Sequence, residues 1–336
     1  MNRGAHLQEL LIALALSSVV YPSTPSAFSS SETISGCAYT TTDYAAPENA
    51  RYEMLKSPGG GFYYNYSSRK TDQSPRNTGL LVVLVAGVPE PHYFDALRAL
   101  LLEANYRVLV LDLPGKQHTR LSSRPTAEFV FEQFQEIWTL PGLYPPTGFL
   151  IVGTSISGPV AALMAARWAG RSPKLALLSA VGMPREWPLV IRIGRIPLLS
   201  DLLAPFMLPR QVEDRWKNGE LLCPQNFPEL FKRQEMEFRG AFARINHLEL
   251  GKALALSDQT SVYQQLANTS LPVMLAYGDH DPFRDQISKI RDVVPRAQVI
   301  TIRDSAHIAF IEQPAATFEI LHDFAQGRLP GSSGSR

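Results

Sequence analysis

The stretch that most constrains this chain is Phe149-Leu150-Ile151-Val152-Gly153-Thr154-Ser155-Ile156-Ser157-Gly158, running into Pro159-Val160-Ala161-Ala162-Leu163-Met164-Ala165-Ala166. An apolar run, a cluster of small residues and an alanine-rich segment predict a buried strand, a sharp turn and a helix. Ser155 falls at the apex of the turn. Strand and helix backbones come close there, so Gly153, Ser157 and Gly158 are the sizes that fit. The Ser155 hydroxyl is thereby pushed out above the strand end, and the free N–H groups of the helix's first turn face back toward it.

A buried strand needs neighbours, and the chain supplies them. Leu80 to Ala86 is wholly apolar and rich in β-branched residues, as in a strand covered on both faces. Val108 to Asp112, Lys174 to Ala180, Pro272 to Tyr277 and Gln298 to Ile302 read alike. Arg51 to Tyr66 predicts one or two opening strands around the turn Pro58-Gly59-Gly60-Gly61. Helices are predicted from about Tyr93 to Glu103, Thr126 to Leu140 and Pro314 to Ala325. This alternation predicts an α/β fold: a mostly parallel central sheet, helices on both faces and right-handed crossovers. With 336 residues, 45% of them hydrophobic, the chain can bury one core domain of roughly 250 residues plus an insertion.

The insertion is Met183 to Gln259, where the alternation stops. Trp187, Ile191, Ile193, Ile196, Leu198, Leu199, Leu202, Leu203 and Phe206 recur at helical spacing, broken by Pro188, Pro197, Pro205 and Pro209. The expected organisation is a core over 51–182 and 260–327, a helical cap over 183–259 and a flexible tail over 328–336. Residues 1–50 differ in kind. Arg3, an apolar run Leu10 to Leu16 and small residues ending near Ala27 have the layout of a secretory signal peptide. That predicts export; if the segment is only a disordered tail, the protein is cytoplasmic. Ile34-Ser35-Gly36-Cys37 has the letters of a lipobox but does not follow the apolar run directly. Asn65-Tyr66-Ser67 and Asn268-Thr269-Ser270 are glycosylation sequons. Two cysteines, Cys37 and Cys223, offer no framework and no metal-site spacing. If the chain is exported they can pair. A net charge of +1 gives no support for a nucleic-acid partner, and no stretch is apolar for the roughly 20 residues of a membrane span. No metal, nucleotide or flavin motif is present.

A serine hydroxyl becomes a nucleophile when a base takes its proton and a carboxylate orients that base. The strand Val273 to Tyr277 leads into Gly278-Asp279-His280-Asp281-Pro282, and the strand Gln298 to Ile302 into Arg303-Asp304-Ser305-Ala306-His307. Taken together, these segments resemble the serine-nucleophile branch of the α/β-hydrolase superfamily, over about Leu80 to Gln326. Gly153-Thr154-Ser155-Ile156-Ser157 is similar to its Gly-x-Ser-x-Gly nucleophile elbow, with Ser157 for the last glycine. The Gly-x-x-Asp turn carries the acid to Asp281; Asp279, nearer the strand end, is the competing carboxylate and the better turn cap. Ser305 to Pro314 matches the family's histidine loop.

The resemblance implies Ser155 as nucleophile, His307 as base and Asp281 as the acid that orients it. It further implies an oxyanion hole from the backbone N–H groups of Ile156 and Val88. Where the family usually has His-Gly, this chain has Ala86-Gly87-Val88, and Lys116-Gln117-His118-Thr119 departs from the usual continuation of Asp112-Leu113-Pro114-Gly115. His118 is a weaker candidate near the site. The implied activity is that of an esterase or lipase-like hydrolase without cofactor, acting on small hydrophobic esters beneath an apolar cap that can touch lipid. A C–C bond hydrolase, a perhydrolase or a ligand-binding protein without turnover remain open.

Overall fold

The computed structural model describes residues 52–57, 61–68, 79–87, 91–114, 121–140, 143, 146–186, 219–228, 230–232 and 241–328. The expectations for 1–50, for 187–218 of the cap, for Val88, for His118 and for the tail beyond 328 lie outside these residues.

An eight-stranded sheet forms the core, with strand order β1-β2-β4-β3-β5-β6-β7-β8. The strands are β1 (Glu53–Leu55), β2 (Phe62–Ser67), β3 (Leu81–Val85), β4 (Arg107–Leu111), β5 (Leu150–Thr154), β6 (Lys174–Leu178), β7 (Val273–Gly278) and β8 (Gln298–Ile302). The β1–β2 and β2–β4 pairings are antiparallel, and every pairing from β4 to β8 is parallel. The apolar runs explain which strands are central. All five residues of β3 and of β5 are buried, as strands with helices on both faces must be. At the margin, β8 is buried only at Ile302.

Alternate residues of these strands feed two cores. On one face Val83, Val85, Leu109, Leu111, Ile151, Leu175, Leu177 and Leu275 pack with α2 (Ala127–Gln135), α3 (Gly158–Arg167), α5 (Thr260–Ala267) and α6 (Arg284–Val293). On the other, Val82, Leu84, Val108, Val110, Val152, Ala176 and Met274 pack with α1 (Asp95–Glu103) and α8 (Pro314–Ala325). Between these helices come α4 (Ala241–Leu250) and the short α7 (Ala309–Glu312). Three of these helices, α5, α6 and the short α7, go beyond those the sequence pattern predicted. In α6 the buried residues are Gln286, Ile287 and Ile290, so a stripe of two isoleucines at helical spacing is easily read as a polar connection.

Residues 183–259 leave and return at one point. The Gln259 N–H donates to the Gly182 carbonyl at 2.8 Å, and the Met183 N–H donates to the fully buried Gln286 Oε1 at 2.9 Å. Gly182 has φ +110°, and a Cβ there would lie 2.9 Å from both Gln259 and Pro159 side chains. The described part of this segment holds α4, which continues as a π-helical turn over Gly251–Ala255. No strand occurs in it among the described residues.

Sheet order also fixes where a ligand can sit. The chain passes from β3 outward to β4 and then crosses back to β5 on β3's other side. At such a switch point the loops after the two strands diverge and leave a crevice beyond their carboxyl ends. The Ser155 turn lies there.

Packing at the turn is tight enough to test. A Cβ on Gly153 would lie 2.4 Å from the Ala161 Cβ, whereas nothing lies within 4 Å of one on Gly170. Gly153→Val is expected to destabilise the protein by about 3 kcal/mol or more through overpacking, and Gly170→Ala to change it by about 0.5 kcal/mol or less. Paired chemical-denaturation curves check this.

Candidate active site

Each site residue follows a strand. Ser155 comes directly after β5, where the chain turns through a 3-10 turn, Ser155–Ser157, into α3. Its φ is +48°, a left-handed conformation that non-glycine residues rarely adopt. The turn is clamped from several sides. A Cβ on Gly158 would lie 2.6 Å from the Ala180 Cβ. The Ser157 Oγ accepts the Thr154 N–H at 2.9 Å and sits 2.7 Å from the Val85 carbonyl, to which it donates. Serine in place of the usual glycine is therefore a bridge from the elbow to β3 as well as a small residue.

Asp281 and His307 arrive from loops after β7 and β8. His307 Nε2 lies 2.9 Å from Ser155 Oγ, and His307 Nδ1 lies 3.0 Å from Asp281 Oδ1. The three residues are 7%, 3% and 2% exposed for Ser155, His307 and Asp281, so these hydrogen bonds operate largely away from water. Asp281 Oδ1 also accepts the Phe283 N–H at 2.8 Å. The Phe283 ring meets the imidazole edge-on, with centroids 4.9 Å apart, and carries the Arg185 guanidinium 5.2 Å from its centre.

Burial alone would raise the Asp281 carboxyl's pKa. The charge of His307 and the hydrogen bonds from His307, the Phe283 N–H and the Ser179 hydroxyl outweigh it, and the carboxyl is held below its ordinary value. Asp279, the competing acid, does not reach the imidazole by a hydrogen bond. Its oxygens accept the N–H groups of Asp304 at 3.2 Å and Ser305 at 3.1 Å, capping the histidine loop.

The oxyanion-hole candidates are placed unequally. Ile156 is the second residue of the elbow turn, at the N-terminal end from which α3 runs. Val88 lies outside the described residues, but the start of its loop is fixed: the Gly87 N–H donates to Thr154 Oγ1 at 3.0 Å. A Cβ on Gly87 would lie 1.7 Å from the Thr154 carbonyl oxygen, so only glycine fits there. Among the described residues no group of three or more His, Cys, Asp or Glu is arranged to hold a metal ion, and no helix is long and apolar enough to cross a membrane. Cys223 is disulfide-bonded; the other cysteine of the chain, Cys37, lies outside the described residues.

Sequence reasoning missed Glu312. Its carboxylate, 8% exposed, accepts N–H groups from both the histidine loop and the segment near Cys223. The only signal was its position in the Glu312-Gln313-Pro314 run.

The family model of the alpha/beta hydrolase family matches residues 82–320. The chain belongs to that family. Among solved structures, a thermophilic esterase from Thermogutta terrifontis is 20% identical with a TM-score of 0.63, the match covering 83% of this chain and 99% of that one. The enol-lactonase of Burkholderia xenovorans LB400 is 17% identical with a TM-score of 0.64, over 82% and 100% of the two chains. Haloalkane dehalogenase DbeA from Bradyrhizobium elkani USDA94 is 14% identical with a TM-score of 0.64, over 82% and 98%. No curated protein sequence matches significantly. These likenesses establish a shared fold across unlike chemistries, so the side chains of the site must distinguish them.

The Asp281 environment makes a prediction about pH. A carboxyl whose pKa is lower folded than unfolded contributes stability above its unfolded value of about 3.9 and loses it as pH falls through the lower, folded value. Asp281→Asn is expected to flatten that acid limb. Urea unfolding of wild type and variant from about pH 6 down to about pH 2 measures it, and parallel curves would contradict the assignment.

Proposed function

We propose that this protein is a serine hydrolase that cleaves carboxylic esters of hydrophobic substrates through an acyl-enzyme. The observation that carries the reading is the continuous hydrogen-bonded series from the Ser155 hydroxyl through His307 to Asp281, at 2.9 and 3.0 Å. In this reading Ser155 Oγ attacks the ester carbonyl carbon while His307 Nε2 takes its proton. Asp281 keeps Nδ1 protonated and stabilises the imidazolium. The carbonyl oxygen, now negative, is held by the N–H groups of Ile156 and Val88. Collapse breaks the bond to the alcohol oxygen, which leaves with the proton from Nε2. Water then repeats the sequence, releasing the acid and restoring Ser155.

Serine at the elbow argues against the carboxylate-nucleophile chemistry of haloalkane dehalogenases, in which the alkyl group is carried on an aspartate. A preference for apolar esters is supported by the sequence of the cap, with its run of isoleucine, leucine and phenylalanine between 191 and 206. Export is supported by the leader-like segment at the N-terminus and by the disulfide at Cys223, since such bonds persist in oxidising compartments.

A fluorophosphonate probe is expected to label wild type at Ser155 and not Ser155→Ala. That variant should fold normally and lose turnover of p-nitrophenyl esters by about a thousandfold or more. Asp281→Asn should cost far more activity than Asp279→Asn. A folded wild-type protein left unlabelled by the probe would contradict the reading, and comparing short and long acyl chains with a C–C substrate would define the bond.

A further inference from the structure

Four successive backbone N–H groups lead up to and include His307, and each has its own acceptor. Those of Asp304 and Ser305 donate to Asp279. The Ala306 N–H donates to Glu312 Oε2 at 2.7 Å, and the His307 N–H to the Glu220 carbonyl at 3.1 Å. The last two acceptors are themselves linked. Glu312 Oε1 accepts the Leu222 N–H and, at 3.3 Å, the Cys223 N–H, in the same short segment that presents the Glu220 carbonyl. One buried carboxylate thus joins the loop that carries the imidazole to a segment within the insertion.

We propose that Glu312 is a positioning residue for His307: shared between Ala306 and the Leu222-Cys223 backbone, its carboxylate sets where the imidazole stands relative to Ser155 and Asp281. The inference rests on the reading of His307 as the base.

The chemistry of the donors favours an ionised carboxylate. All three of its hydrogen-bond partners are N–H groups, so a carboxylate satisfies every one while a protonated acid or an amide would set a hydrogen against a hydrogen. Burial and the nearby charge of Asp279 push the Glu312 pKa up, and the hydrogen bonds from Ala306, Leu222 and Cys223 pull it back only in part, leaving it raised. A group that burial so disfavours is held by what it binds. The hydrogen bonds of Glu312 described above run only to backbone, to neither Ser155 nor the imidazole.

The test is Glu312→Gln, which keeps the size and loses one acceptor. The variant is expected to melt cooperatively and to react with the fluorophosphonate probe roughly 10- to 100-fold more slowly than wild type, because small misplacements of a base cost that much. With p-nitrophenyl esters the loss should fall in kcat, with KM changed by about twofold or less. The low-field proton NMR resonance of the hydrogen shared by His307 Nδ1 and Asp281 should broaden or shift, a signature that simple loss of stability would not produce. Wild-type labelling and an unaltered resonance in the folded variant would overturn the proposal, whatever its melting temperature. If Glu312→Gln fails to fold, Glu312→Asp, charged but one methylene shorter, carries the same expectation and the same refutation. Should wild type itself neither label nor turn over esters, the hydrolase reading fails, and the resonance comparison alone then decides the positioning role.

Discussion

The left-handed backbone at Ser155 is the constraint on which the rest of the structure depends. With φ at +48°, this residue costs on the order of 1–3 kcal/mol relative to a relaxed conformation. Its surroundings must over-determine it. They do so with Gly153 against Ala161, Gly158 against Ala180, and a serine hydroxyl that ties Thr154 to β3. None of these contacts would survive a looser turn, and a looser turn would let the Ser155 side chain fall back along the strand. The strain holds a hydroxyl at a defined point above a rigid sheet.

The same device recurs around that point. Ser179, directly after β6, and Asp304, just beyond β8, also have positive φ, at 50° and 53°. One borders the acid and the other opens the histidine loop. Positive-φ residues thus stand just past β5, β6 and β8 around the site, and at Asn105 and Ser172 ahead of β4 and β6, while the interiors of the central strands are regular and apolar. The buried sheet provides the stiffness, and the loops use it to hold polar groups that would otherwise be solvated. Carboxylates divide the work: Asp281 faces the imidazole, whereas Asp279 and Glu312 bind the backbone that presents it.

What was legible in the sequence follows from this division. Strands such as Leu81–Val85 and Leu150–Thr154 were readable because burial on both faces demands a continuous apolar run. Ser155 and Asp281 were readable because each sits just past such a run, and His307 because it follows the shorter, partly polar strand Gln298–Ile302. Between Asp279 and Asp281 the residue types alone could not choose. The loop after β8 bends back so that Asp304 and Ser305 cover the former, leaving the latter to meet His307, and that is a tertiary fact. Helix α6 was obscure because its buried side is narrow, and Glu312 because a glutamate two residues before a proline looks like any solvated surface residue. Ser157 was read for its size, while its hydroxyl turned out to matter as well. Nothing in the residues themselves gives the path of the chain between Met183 and Gln259, where prolines break the apolar pattern.

The central claim is spatial: segments around 155, 281 and 307, far apart in the chain, deliver a hydroxyl, a carboxylate and an imidazole to one place. A crystal structure of the protein with a bound alkyl boronic acid tests it most directly. The account predicts a tetrahedral boron bonded to Ser155 Oγ, one boron oxygen hydrogen-bonded to the Ile156 N–H, and His307 between the adduct and Asp281. Boron bound to a different side chain, or an adduct at Ser155 with His307 turned away from Asp281, would contradict it.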